Sequence, residues 1–81
     1  MGNTMKKLVL SKWVLMYPDS LSCIFDESKK KVVFLTKEYD EIHLVVEVVS
    51  EKLVFQPRWN VVITELDKFE YEIKTNSYSD N

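Results

Sequence analysis

Hydrophobic residues along this chain occur in short runs in which apolar and polar positions alternate. The clearest case is residues 69–75, FEYEIKT, where aromatic and aliphatic side chains occupy every second position. A period of two places such side chains on one face of a β-strand. Turn signals recur roughly every 8–12 residues, which is typical of a small antiparallel sandwich or barrel. The pattern therefore predicts an all-β fold, a small antiparallel meander that forms a sandwich or a partly open barrel.

The remaining strands are predicted from runs of β-branched and aromatic residues between turn signals. They are residues 8–16, 21–25, 31–36, 53–56 and 59–65. Pro57 marks the break before the last of these, because proline in a sheet is confined to edges, strand starts and bulges. Gly2 is the only glycine, so turns that need a positive φ are expected to use Asn, Asp or Ser.

Residues 37–53, KEYDEIHLVVEVVSEKL, fit two patterns. A period of two places Leu44 and Val46 on one face and Val45 and Val49 on the other. A period of 3.6 also forms an apolar stripe, with Thr36 as a possible helix cap. The many β-branched residues favour a strand, and the alternative is an α+β fold with one helix at about residues 37–52.

The length of the chain sets the predicted domain organisation. With 81 residues, it has room for one domain, which we place at residues 6–75. Residues 1–5 are expected to be a flexible start, either an upstream initiation site or an expression remnant. The polar residues 76–81 are expected to be a frayed tail.

Two predicted strands are apolar on both sides, unlike the half-polar residues 69–75. In residues 8–17 and 31–36, both alternating sets of positions are hydrophobic. A single small sheet cannot bury both of its faces, so a second layer, a helix or a partner must cover one of them.

Composition indicates compartment and origin more than function. The chain has no alanine and one arginine, and it is rich in Lys, Val, Ile and Asn, as expected of an AT-rich genome such as a low-GC bacterium or a phage. Cys23 is the only cysteine, so no internal disulfide can form and a reducing cytoplasm is predicted. Lys12 and Pro18 interrupt the one stretch that resembles a signal sequence. The net charge of −2 favours no strongly charged partner.

The residues that could carry chemistry are few, and we expect no catalysis, no metal and no cofactor. His43 is the only histidine. A metal site would need it together with Asp40, Glu41 or Glu47, which lack the spacing of a ligand set. No glycine-rich loop is present to hold a phosphate group.

Binding to another protein, or to a second copy of the chain, through an apolar sheet face or an open edge, is the predicted function, of a regulator or inhibitor type. Arg58 and Trp59 are of the residue types that most often carry binding energy, although alternation also places Trp59 on an inner face with Val61 and Ile63. The candidate contact residues are Arg58, Trp59, Val45, Val49 and Phe34. The alternative is a small β-barrel that binds single-stranded nucleic acid through Lys29, Lys30 and Lys31. No membrane association is expected.

Overall fold

The computed structural model describes residues 5–58 and 60–75, and these form eight strands in two four-stranded sheets. The strands are β1 (Met5–Leu10), β2 (Trp13–Pro18), β3 (Leu21–Asp26), β4 (Lys31–Thr36), β5 (Ile42–Val49), β6 (Lys52–Pro57), β7 (Val61–Asp67) and β8 (Glu70–Thr75). The predicted all-β fold is confirmed, and the two sheets pack as a sandwich without closing into a barrel.

The two sheets differ in how the chain builds them. The central sheet has the order β3-β4-β5-β6 and is a simple antiparallel meander, as predicted. The terminal sheet has the order β1-β2-β8-β7, so it joins the first hairpin to the last one. Its two hairpins meet through β2 and β8, which run parallel. Among the described strands, this junction is the one parallel pairing in sheets that are otherwise antiparallel.

The prediction of one continuous strand at residues 8–16 is wrong. Residues 8–16 do not form one strand, because a two-residue turn at Ser11 and Lys12 divides them into β1 and β2. Ser11 has φ of 58°, and the turn exchanges the faces on which the following side chains lie. Leu8 and Leu10 therefore face the core together with Leu15, rather than opposing it.

The core lies between the inner faces of the two sheets. Its fully buried members come from both, and they include Leu15 and Ile73 of the terminal sheet and Phe34 and Leu44 of the central sheet. Aromatic contacts connect the layers: the Tyr17 and Phe34 ring centroids are 5.0 Å apart. Residues 8–17 and 31–36 were predicted to need a second layer over one face. The opposite sheet is that layer, and it covers the inner face of each segment.

The ambiguous segment is extended. Residues 42–49 form β5, and the alternative of a helix at about residues 37–52 is wrong. Leu44 and Val46 are fully buried, and Val45 lies on the opposite face. At the chain start, β1 begins at Met5, inside the segment predicted to be flexible. Residues 1–4 and 76–81, which include the predicted tail, lie outside the described residues.

The turns use positive φ at more residue types than predicted. Ser11, Asp40 and Ser50 fit the expectation, but Lys30 and Glu51 also have φ of 50° and 64°. Ser50 and Glu51 form the two-residue loop between β5 and β6, with Val49 paired to Lys52. Two consecutive positive φ values are those of a type I′ turn, in which Asn-Gly is the preferred sequence.

Replacing Glu51 with glycine is expected to raise the free energy of unfolding by about 1 kcal/mol, because a side chain in the left-handed region is strained and glycine is not. The measurement is urea unfolding followed by circular dichroism. Lys52→Gly is the control, since glycine at an extended strand position should lower stability. An equal loss in both variants would contradict the turn assignment.

Candidate interaction surface

The outer face of the central sheet carries a cluster of hydrophobic side chains, which we call the outer patch. Its members are Ile24, Val33, Leu35, Val45, Val49 and Val54. The strand register places Ile24 opposite Val33 and Val33 opposite Val45. Three strands thus contribute one continuous row of branched aliphatic side chains.

The outer patch is open to solvent at the end of this row and flanked by charge. Ile24 is 62% exposed, the highest value among the aliphatic side chains in the described residues. The next row of the sheet, two residues along each strand, is Asp26, Lys31, Glu47 and Val54, so charged side chains lie between the row of Ile24, Val33 and Val45 and the more distant Val49. An apolar centre with a charged border is the usual anatomy of a protein-binding surface.

The outer face of the terminal sheet has a different pattern. Its apolar side chains are interrupted by charged ones across the strands: Val14 lies between Val9 and Glu70, and Met16 lies between Lys7 and Glu72. Because a charge adjoins each of these apolar positions, this face has no apolar row comparable to that of the central sheet. We therefore place the candidate surface on the central sheet.

Three of the predicted contact residues belong to the central sheet, and they do not share a face. Val45 and Val49 are members of the outer patch. Phe34 is 0% exposed and lies on the inner face, against Tyr17. A side chain in that position cannot touch a partner while the sandwich is intact, so Phe34 is removed from the candidate set and assigned to the core.

Arg58 lies at a corner where the chain leaves β6. Its backbone N–H donates to the carbonyl oxygen of His43 at 2.9 Å, which ties the corner to the start of β5. The Arg58 side chain is exposed. The ion pairs found among the described residues both involve Asp19, with Lys6 and Lys37, so the Arg58 guanidinium takes part in neither. Trp59 lies outside the described residues.

His43 contributes to the same corner. Its Nε2 lies 3.4 Å from Nδ2 of Asn60. Its Nδ1 is buried without a hydrogen-bond partner among the described residues. Within residues 5–58 and 60–75, no group of three or more His, Cys, Asp and Glu side chains is arranged to hold a metal ion.

The lysines of the nucleic-acid alternative lie at the turn between β3 and β4. Lys29 and Lys30 are exposed, and Lys31 begins β4 between Asp26 and Glu47 in the register. The turn is organised by Asp26, whose Oδ1 accepts from the hydroxyl of Ser28 at 2.8 Å and from the amide of Lys29 at 3.3 Å. The hydrogen bond from Ser28 lowers the pKa of Asp26 below its usual value.

Asp19 and Tyr17 make three further polar contacts. Asp19 accepts charge-assisted hydrogen bonds from Lys37 at 3.3 Å and Lys6 at 3.4 Å, which hold the pKa of its carboxyl below the usual value. The Tyr17 hydroxyl lies 3.5 Å from Sγ of Cys23, across the gap between the sheets. Burial is the main cause that raises the pKa of Tyr17 to about 12.

Four members of the outer patch were not predicted as contact residues: Ile24, Val33, Leu35 and Val54. Ile24 is the most exposed of them. The segment was predicted to be a strand, but no face was assigned to it because Ser22 and Asp26 flank Ile24 on the same face. The available signal was the alternation of Leu21, Cys23 and Phe25 on the inner side, which leaves Ile24 pointing outward.

No family model matches the chain, and neither a curated protein nor a solved structure matches it. The class of protein is thus defined by its own fold and surface: a two-sheet β-sandwich with an apolar patch on one outer face. None of the described residues forms a helix long and apolar enough to cross a bilayer.

Proposed function

We propose that this protein is a small non-catalytic interaction module that binds another protein through the outer patch. The observation that carries the proposal is the row formed by Ile24, Val33 and Val45 on an open sheet face. In this proposal the protein is a regulator or inhibitor, and its composition favours a reducing cytoplasm and an AT-rich genome such as that of a phage or another mobile element. Such a protein acts by covering a surface of its target.

The side chains of the outer patch suit this task. Four of the six are valines, and β-branched side chains on a strand lose little rotamer freedom when a partner covers them. Each apolar Å² removed from water contributes about 25 cal/mol. The charged row beside the patch would contact the rim of a partner, where it contributes to orientation more than to affinity.

The same features weigh against nucleic acid as the target. A surface for single strands combines a basic groove with exposed aromatic side chains on which bases stack. The outer patch is aliphatic, and the basic residue nearest to it along β4, Lys31, lies between two acids in the register. Lys29 and Lys30 are confined to one turn.

The proposal predicts that Val45→Lys abolishes capture of a partner by the immobilised protein from extracts of its natural host, because a charge in the apolar row must be desolvated on binding. Captured proteins are measured by quantitative mass spectrometry. The matched control is Val14→Lys, which introduces the same charge at a half-buried valine of an inner strand on the outer face of the terminal sheet. Capture should be retained by that variant.

Two further arms sharpen this experiment. Raising the salt concentration from about 0.1 to about 1 M should leave capture by the unchanged protein largely intact, because apolar burial is not screened. Arg58→Ala should weaken capture without lowering the melting temperature if the exposed guanidinium reaches the partner. Equal capture by the Val45 and Val14 variants would contradict the proposed surface. Loss of capture at high salt, together with loss in a Lys29, Lys30, Lys31→Glu triple variant, would favour nucleic acid.

A further inference from the structure

The sandwich has four edge strands, and three of them carry features that discourage pairing with another strand. Edge strands are protected by lysine, proline, bulges or charge. β1 contains Lys6 and Lys7, and β6 ends in Pro57. In β7 the register shifts between Glu65 and Asp67. These features cover three of the four edges that the described residues form.

The fourth edge, β3, lacks such protection over residues 21–25, LSCIF. This stretch has no charge and no proline, and its pairing with β4 is regular. Ile24 is 62% exposed on the outer face, and Phe25 is 39% exposed on the other side. An edge strand with exposed hydrophobic side chains on both faces is a template for pairing with another strand.

The backbone groups available at this edge follow from the ladder between β3 and β4. The amide of Lys37 donates to the carbonyl oxygen of Ser20 at 3.1 Å, so Ser20 and Lys37 form a hydrogen-bonded pair. Such pairs alternate along an antiparallel ladder. Ser22 and Ile24 therefore also bond toward β4, while the N–H and C=O groups of Leu21, Cys23 and Phe25 point to the open edge.

We propose that β3 pairs antiparallel with β3 of a second copy of this chain, about a two-fold axis that passes beside Ile24. In this register, Cys23 of each copy exchanges backbone hydrogen bonds with Phe25 of the other. The two Ile24 residues form the central non-hydrogen-bonded pair, in which side chains are closest, with Cα atoms about 4.5 Å apart. This inference deepens the proposed function and rests on the same sheet.

A second copy fits this edge because the strand is complementary to itself in this register. The pairing keeps outer faces together, so the row of Val45, Val33 and Ile24 continues into the same row of the second copy. Asp26 comes opposite Ser22, and no like charges face each other along Leu21–Asp26. A two-fold contact also closes the assembly, because both unprotected edges are consumed.

The test is sedimentation equilibrium of the full chain. The unchanged protein is expected to be a dimer, and Ile24→Lys is expected to raise its dissociation constant on the order of a hundredfold, because two apolar contacts are lost and two like charges face each other. Val9→Lys is the matched control, since Val9 is 57% exposed on the edge strand β1. This control should remain a dimer with the same dissociation constant.

A second measurement tests the register itself and does not depend on the lysine variant remaining folded. In a Cys23→Ser background, Ile24→Cys should form an intermolecular disulfide under mild oxidation, because the paired Cα atoms lie within disulfide range. The Cys23→Ser protein without the new cysteine gives the background. A disulfide between the Cys23 residues of two otherwise unchanged chains would overturn this register.

The outcomes separate this inference from the proposed function. A monomer at every concentration, or a dimer equally weakened by Val9→Lys, would overturn pairing through β3 while leaving capture by the outer patch to be judged by Val45→Lys. A dimer that survives Val45→Lys, in a variant that no longer captures a partner, would support both assignments. Loss of the dimer in Ile24→Lys with retained circular dichroism is the result that we expect.

Discussion

Phe34→Ala is expected to lower the free energy of unfolding by about 3–5 kcal/mol, the usual cost of removing a buried phenylalanine from a core. Phe34 is fully buried between the sheets, and its ring contacts that of Tyr17 across the gap. The loss therefore has two parts. One is the transfer free energy of a large apolar group, and the other is the cost of a cavity that two rigid sheets cannot fill by collapsing.

A loss of this size is a large fraction of the total stability of a small domain, which is about 5–15 kcal/mol. The measurement is urea unfolding. We expect the slope of the free energy of unfolding against urea concentration to be unchanged, which shows that only stability was altered. Phe25→Ala serves as the control because Phe25 is 39% exposed on an edge strand. It should lose much less. Equal losses would contradict the assignment of Phe34 to the core and return it to the surface set.

Raising the pH from 10 to 12 is expected to destabilise the fold through Tyr17. Burial of this side chain, helped by its hydrogen bond to Cys23 and by the charges of Cys23 and Asp19, raises the pKa of its hydroxyl from the ordinary value of 10.0 to about 12. In the unfolded chain the hydroxyl loses its proton near the ordinary value. Between the two values, the unfolded state binds fewer protons than the folded state, so the free energy of unfolding falls as pH rises.

The contribution of Tyr17 is fully present below pH 10 and is lost as pH rises toward about 12. A shift of two pKa units corresponds to about 2–3 kcal/mol. The measurement compares urea unfolding of the unchanged protein with that of Tyr17→Phe across this range. The variant has no hydroxyl to ionise at this position, so the difference between the two curves isolates Tyr17 from the other tyrosines and the lysines. If the free energies of unfolding of the two proteins changed with pH in parallel, the Tyr17 hydroxyl would not be desolvated in the folded state.

Local patterning was sufficient to predict most of the strands. The alternation in residues 69–75 predicted the inward positions of Tyr71 and Ile73, and β-branched composition correctly favoured a strand at residues 42–49. These segments are predictable because the burial of each strand depends on its own period of two. The charged stretch between β3 and β4 predicted their hairpin for the same reason.

The hairpin at Ser11 was not predicted because its turn has no local signal. Ser and Lys are not the residues that type I′ or II′ turns prefer, and apolar residues lie on both sides. Read as one strand, residues 8–16 are apolar on both faces. Read as two strands, most of the bulky side chains face one way.

Long-range pairing was beyond any local signal. The parallel contact between β2 and β8 joins Val14 to Glu70, residues whose sequence neighbourhoods contain no information about each other. The outer patch was predicted only in part for the same reason. Val45 and Val49 follow from the period of β5, but the row also needs the register that places Ile24 beside Val33.

The parallel junction between β2 and β8 has a consequence for the order in which the fold can be completed. The meander of β3 to β6 uses contacts between neighbours in the sequence and can form early. Within residues 5–58 and 60–75, its inner face is covered by the terminal sheet, and Ile73 of β8 is one of the fully buried residues that fill the core. During synthesis the β1–β2 hairpin precedes the meander, but the part of the inner face that β8 covers stays exposed to water until β8 has left the ribosome. Loss of β8 alone would undo both layers.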